Sequence, residues 1–259
     1  YHVKMPWLTD LELGRAVREK YRLKECFALE VPQGGDIPAV LGAFLADYFI
    51  QILPAEAVVG FSWGYTISKF VESLPYVKTR SCSLIQLTGA FTGCDPDVTP
   101  THIINQVSKK LDGRIYVLNA PLYASSREIK EHLLEDPVNV QIQEMADRSD
   151  INIIGLSNLD LNATTFRSGI TSEADYEELV RLGATGDLAG TFLDGQGNTI
   201  TWSKSQLYTG VPLSQISRGK HVICVGGEPR KAPLLRLVCG KGYFDTLVTT
   251  SQTARELLK

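Results

Sequence analysis

Apolar residues along this chain come in short dense runs with few polar interruptions, separated by longer stretches in which they recur every three or four positions. ECFALEV, AVVGF, CSLIQL, RIYVL, INIIGL, HVICVGG and FDTLVTT are the runs. They have strand length and are rich in β-branched residues, so each is expected as a strand. The stretches between them read as helices. LTDLELGRAVREKYRL opens under a cap from Thr9 or Asp10, a long helix covers 37–53, and another covers 65–73. THIINQVSKKL repeats its apolar face at Ile103, Val107 and Leu111, and two more helices are expected over 126–134 and 137–148. SEADYEELVRL follows a Ser172 cap, PLLRLVCG ends at Gly240, and SQTARELL closes the chain under a Ser251 cap.

Strands that alternate with helices at this spacing, and that are apolar on both sides, predict an α/β fold. Its sheet is mostly parallel, with helices on both faces. One segment breaks the rhythm. DLAGTFLDGQGNTITW has two short runs around DGQGN, and a small β-hairpin insertion is expected there. In open parallel sheets, ligands bind beyond the carboxyl ends of the strands. Four loops of unusual composition fall at such ends, over 60–66, 88–93, 155–158 and 226–231.

Length and charge narrow the possibilities. The chain has 259 residues, 44% of them hydrophobic, and a formal net charge of -3. That suits one large domain and supplies no basic stripe for a nucleic-acid duplex. Its five cysteines, Cys26, Cys82, Cys94, Cys224 and Cys239, include no CxxC pair. Packed thiols of a reduced, cytoplasmic protein are therefore expected, with no metal site and no cofactor. The longest apolar stretch, IPAVLGAFLADYFIQIL, is broken by Asp47, so no membrane span is expected. The chain starts at Tyr1, and a fragment lacking an N-terminal partner domain is expected.

VVGFSWGYTIS leaves a buried strand through Gly60 and Gly64, with Ser62 and Thr66 beside them and Trp63 and Tyr65 between. Glycine permits close backbone approach, and the following helix offers free N–H groups and the positive end of its dipole. The run fits either a phosphate cradle or a plain tight turn before a helix. VICVGGEPRKAPLL repeats the design with Arg230 and Lys231 near a helix start, where a bound anion would offset cations that oppose the dipole. In GATGDLAGTFLD, Asp187 could accept hydrogen bonds from sugar hydroxyls or could simply occupy a turn.

Catalytic arrangements are scarce. Gly60-x-Ser62-x-Gly64 has the spacing of a hydrolase elbow, which needs an acid and a histidine on later loops. His2 is terminal, His102 and His132 lie near helix starts, and His221 opens a strand at the wrong sheet end. An isomerase or deaminase acting on a sugar phosphate would need a carboxylate to move a proton, for which Asp187 is the nominee and Asp95 and Asp97 the weaker ones.

The segments GFSWGYTISKFVESL, LIQLTGAF, NAPLY, GATGDLAGTFLDGQG, VGGEPRKAPLLRLV and LVTTSQTARELL together resemble the sugar-binding domain of the SorC family of bacterial transcriptional regulators. The resemblance runs from about Leu8 to the end. It implies a fold related to sugar-phosphate isomerases and deaminases, and an effector domain for a phosphorylated sugar covering 1–259, with no catalytic residues. It further implies a homo-oligomer, dimer or tetramer, that reaches operator DNA through an N-terminal helix-turn-helix absent from this chain. The loop holding Gly60, Ser62, Trp63, Gly64, Tyr65 and Thr66 would take the phosphate together with Gly227 and Lys231. Lys231 could alternatively form an imine. Asp187, Leu188 and Ala189 would meet the sugar, with Gly89 and Asn105 close by. Thr250 and Ser251 stand where many members carry an acidic pair, which leaves the contact made by those acids open.

Overall fold

The computed structural model describes residues 7–77, 81–93 and 95–259; His2 and Cys94 lie outside them. Among the described residues, nine strands form one connected sheet. Seven run parallel: β1 (Glu25–Leu29), β2 (Val58–Phe61), β3 (Ser83–Gln86), β4 (Arg114–Tyr116), β5 (Ile151–Asn158), β8 (Val222–Val225) and β9 (Thr246–Thr250). Their order is β1-β9-β8-β5-β2-β3-β4. The remaining pair, β6 (Ala184–Leu188) and β7 (Thr191–Asp194), is an antiparallel hairpin. It pairs with the far end of β5, where Leu156, Ser157 and Asn158 face Leu188, Asp187 and Gly186.

The dense apolar runs are explained by a sheet buried on both faces. Ile154, Cys224 and Leu247 point into one core, while Ile153, Ile223, Val225 and Val248 point into the other. The second face is covered by α2 (Ile37–Ile52), α3 (Tyr65–Ser73) and α4 (Pro100–Leu111). The first is covered mainly by α1 (Leu11–Tyr21), α6 (Pro137–Asp147), α9 (Leu213–Ile216), α10 (Ala232–Val238) and α11 (Ser251–Leu258). The others are α5 (Arg127–Glu135), α7 (Thr164–Arg167) and α8 (Glu173–Arg181). Trp202, Leu179 and Phe192 make a separate small cluster under the hairpin.

Three local expectations are sharpened or corrected by the structure. The chain does reverse at DGQGN, where Ile200 N–H donates to Phe192 O (2.9 Å), but the longer pairing is β6 with β7, which turns at Ala189 and Gly190, both at positive φ (51° and 83°). Consecutive left-handed residues suit a two-residue turn that follows the strand twist. The DGQGN segment is a further turn, tied by Asp194 N–H to Asn198 O (2.9 Å), after which Thr199 makes a single bridge to Leu193. The last helix is capped by Thr250, whose hydroxyl accepts from Thr253 N–H (3.2 Å); Ser251 is already inside it. At the start of the chain the cap is Asp10 and not Thr9, which bridges to Leu29. No helix among the described residues is long and apolar enough to cross a membrane.

The strand order locates the place where a ligand fits. From β2 the chain steps outward to β3 and β4, whereas β5 lies on the other side of β2 and the chain then steps away to β8 and β9. The loops that leave β2 and β5 therefore part company, opening a crevice at their carboxyl ends.

Candidate functional site

A cavity of about 270 Å³ occupies that crevice. Its walls come from the β2–α3 turn, the end of β5, the β6–β7 turn and the loop after β8, with Asp36 at the start of α2.

The first wall is the segment that begins α3. Ser62 is buried, and it ties β2 to β5 by donating its N–H to Ile153 O (3.0 Å) and accepting at its hydroxyl from Gly155 N–H (3.1 Å). Gly64 follows at φ 122°, a region side chains avoid, and it starts the helix without offering a side-chain cap. All the other helices of eight or more residues among those described have such a cap: Asp10, Asp36, Thr99, Ser126, Asp136, Ser172 or Thr250. The amides of Tyr65, Thr66 and Ile67 find no acceptor among the described residues, and all three residues line the cavity. Helix starts left in this state bind anions, because free N–H groups and the dipole act together.

Across the cavity stand the cations of the β8–α10 loop. Lys231 is 15% exposed and pairs with Glu228 (2.9 Å). Arg230 bridges Asp160 (3.3 Å) and Glu228 (3.4 Å), and the Asn158 amide donates to Arg230 O (2.7 Å), joining the end of β5 to this loop. Both cations hold the Glu228 carboxyl below its ordinary value despite its half-burial.

Asp187 forms the floor. It is 4% exposed, and one carboxyl oxygen accepts from Gly190 N–H (3.0 Å). Burial pushes its pKa up to about 7, opposed by the Gly190 N–H and the charge of Lys231. Loss of hydration disfavours the anion more than these two contacts favour it.

Of the residues singled out from sequence, Trp63, Gly64, Tyr65, Thr66, Asp187, Ala189, Arg230 and Lys231 line this cavity. The others stand back from it. Gly60 is a packing residue, because a Cβ there would lie 2.3 Å from Asn152 Oδ1. Gly89 is pressed against Pro121 O, and Gly227 against Leu41 and Thr250. Leu188 is buried in the core beneath the sheet, and Asn105 spends its amide on Thr101 O (2.7 Å) within α4. Thr250 donates to Gly227 O (2.7 Å) and Ser251 to Ala28 O (3.3 Å), so both positions without the acidic pair are occupied with internal bonds. Asp36, Asp160 and Gly190 line the cavity without having been singled out, and Asn158 and Glu228 line it from two of the four loops expected at this sheet edge. Asp36 was hidden by its role as the cap of α2.

Hydrolase chemistry finds no support among the described residues. His221 sits at the opposite sheet end on Thr246 (2.8 Å), His102 pairs with Asp97 (3.4 Å) and His132 contacts Glu128 O (2.8 Å). Asp97 and Asp95 belong to the turn before α4, outside the cavity. Burial raises the thiols of Cys26 and Cys224 to about 12, as expected of packing residues. Among the described residues no cluster has the makings of a metal site.

Residues 6–259 match the family described as "Putative sugar-binding domain". Curated relatives include the erythritol catabolism regulatory protein EryD of Brucella abortus, 24% identical over 203 residues, or 78% of this chain and 63% of EryD. The deoxyribonucleoside regulator of Bacillus subtilis is 23% identical over 252 residues, or 96% of this chain and 80% of that regulator. The chain thus spans less than two thirds of EryD's length. Among solved structures, the full-length sorbitol operon regulator SorC of Klebsiella pneumoniae superposes with a TM-score of 0.87 at 20% identity, over 96% of this chain and 81% of that one. A DeoR family transcriptional regulator of Listeria monocytogenes gives 0.87 at 22%, over 95% and 98%. The structural likeness establishes the α/β fold, in agreement with the architecture read from the sequence.

Proposed function

This chain belongs to the sugar-binding domain family, and from that premise we propose that it senses a phosphorylated sugar for a transcriptional regulator. The carrying observation is the bare N-terminus of α3: three unaccepted amides, no side-chain cap, and Lys231 on the facing wall. A phosphoryl group would accept from the amides of Tyr65, Thr66 and Ile67 and take Lys231 from Glu228. Asp187 then lies where the sugar hydroxyls extend. The names of the relatives, regulators of erythritol and deoxyribonucleoside metabolism among them, support a small hydroxylated metabolite as the effector.

In the whole protein, 1–259 would be the effector domain of a cytoplasmic oligomer, with operator contact made by a separate helix-turn-helix domain. A ligand shifts such a regulator only through unequal affinity for its operator-competent and incompetent states. Operator binding by the full-length protein, titrated with ribose 5-phosphate, fructose 6-phosphate and glucosamine 6-phosphate, tests this directly. One of them should change operator affinity and remain chemically intact.

A second reading is favoured by one observation. An acid titrating near 7 is suited to general base catalysis, and Asp187 is such an acid in a sugar-sized cavity. An isomerase or deaminase would convert one of these three phosphates and lose that activity in Asp187→Asn. Binding without conversion leaves the sensor.

A further inference from the structure

The β6–β7 turn leaves a niche beside Asp187. A Cβ on Gly190 would stand 3.6 Å from the Tyr208 hydroxyl, 3.7 Å from the Tyr208 ring and 3.9 Å from Trp63 Nε1. These are ordinary contact distances, so the missing side chain leaves room for one small group with polar atoms around it. Trp63 is 9% exposed and lines the cavity, yet its indole N–H has no hydrogen-bond partner among the described residues. Buried donors in folded proteins nearly always have an acceptor, and an unmet one is destabilising. Tyr208 donates to Ala189 O over 3.3 Å, a long bond for a hydroxyl, and its oxygen keeps capacity to accept. Asp187 uses one carboxyl oxygen on Gly190 N–H; the other has no hydrogen bond among the described residues.

The Trp63 donor and the Tyr208 hydroxyl thus border one small space, and Asp187 adjoins it through the N–H of Gly190. Phosphate oxygens only accept at neutral pH when fully ionised, whereas a hydroxyl both accepts and donates. We infer that the niche over Gly190 is a hydroxyl-recognition subsite, in which the Trp63 indole N–H donates to a ligand oxygen whose own hydrogen goes to Asp187. The inference rests on the cavity being the effector site proposed above, and it assigns the ligand a free hydroxyl on the part that reaches the hairpin turn. A site built this way discriminates against a partner without the hydroxyl, because its own buried groups would be left unpaired. Trp63 would be a specificity residue rather than part of the phosphate cradle.

The chain's three tryptophans, Trp7, Trp63 and Trp202, make the indole N–H groups individually observable by nitrogen-15 NMR. The Trp63 resonance is assigned by its loss in Trp63→Phe, or by elimination with Trp7→Phe and Trp202→Phe if that variant does not fold. The probes are ribose 5-phosphate, fructose 6-phosphate, glucosamine 6-phosphate, their unphosphorylated parents and inorganic phosphate. The resonance should move with a sugar phosphate that binds and stay in place with inorganic phosphate. Trp63→Phe should weaken that sugar phosphate about 3- to 10-fold, the value of one neutral hydrogen bond, and leave inorganic phosphate unaffected. Tyr208→Phe should weaken it in the same direction. A parent sugar that moves the resonance as far as its phosphate would uphold the niche and defeat the phosphate reading. A sugar phosphate that binds with the Trp63 resonance unmoved would overturn the niche, and so would silence with all seven probes.

Discussion

Replacing Asp187 with asparagine removes a titrating proton and hardly any volume, while the amide oxygen can still accept from Gly190 N–H. The native carboxyl is 4% exposed and titrates at about 7 against an ordinary value of 3.8. Between those values the folded protein holds a proton that the unfolded chain has released. Stability contributed by this site is therefore complete below the lower value, falls as pH rises through the window, and is gone above 7. At 1.36 kcal/mol for each pH unit, the whole window is worth about 4 kcal/mol, and the part between about pH 5 and about pH 8.5 is worth about 3 kcal/mol. Urea unfolding of the unliganded protein and of Asp187→Asn at those two pH values isolates the effect, since every other titrating group is common to both. The variant should gain about 3 kcal/mol on the native protein in going from the lower to the higher pH. Curves that stay parallel would refute the desolvated-carboxyl account of the cavity floor.

Two substitutions test other parts of the reasoning. Lys231→Ala should weaken a bound sugar phosphate about 10- to 100-fold by calorimetry, the loss of a charge-assisted hydrogen bond, and leave binding of the unphosphorylated parent unchanged. Thr250→Ala should cost about 0.5–2 kcal/mol in urea unfolding, because its hydroxyl both caps α11 and anchors Gly227, and Ser251→Ala should cost less.

The sheet was legible in the sequence because burial on both faces leaves a plain signature. INIIGL and HVICVGG are apolar apart from Asn152 and His221, since Ile153 and Ile223 fill one core while Ile154 and Cys224 fill the other. The antiparallel insertion was legible only in part, through its second turn at DGQGN. Gly195 and Gly197 in DGQGN are the louder turn signal, whereas the β6–β7 turn puts alanine at positive φ, which composition does not announce. The site divided in the same way. Trp63, Gly64, Tyr65 and Thr66 are adjacent in sequence, so one local motif brought four cavity residues together. Gly60 and Gly227 share that glycine-rich character for a different reason, the close approach of Asn152 and of Thr250 to their backbones. Asn158 and Glu228 belong to loops expected at this edge, but their joining through Arg230 to Asp160 follows from β5 and β8 being neighbours in the sheet, a contact about 70 residues apart that periodicity does not encode.

The central claim is that the uncapped start of α3 and Lys231 together hold the phosphoryl group of a sugar. Thermal unfolding of this chain with ribose 5-phosphate, fructose 6-phosphate and glucosamine 6-phosphate, each beside its unphosphorylated parent, tests it most directly, because a ligand that binds the folded state raises the melting temperature by mass action. The account predicts a rise with a phosphorylated member of the panel, none with its parent at equal concentration, and no conversion of the compound. An equal rise with the parent sugar, or no rise with any phosphorylated compound, would contradict it.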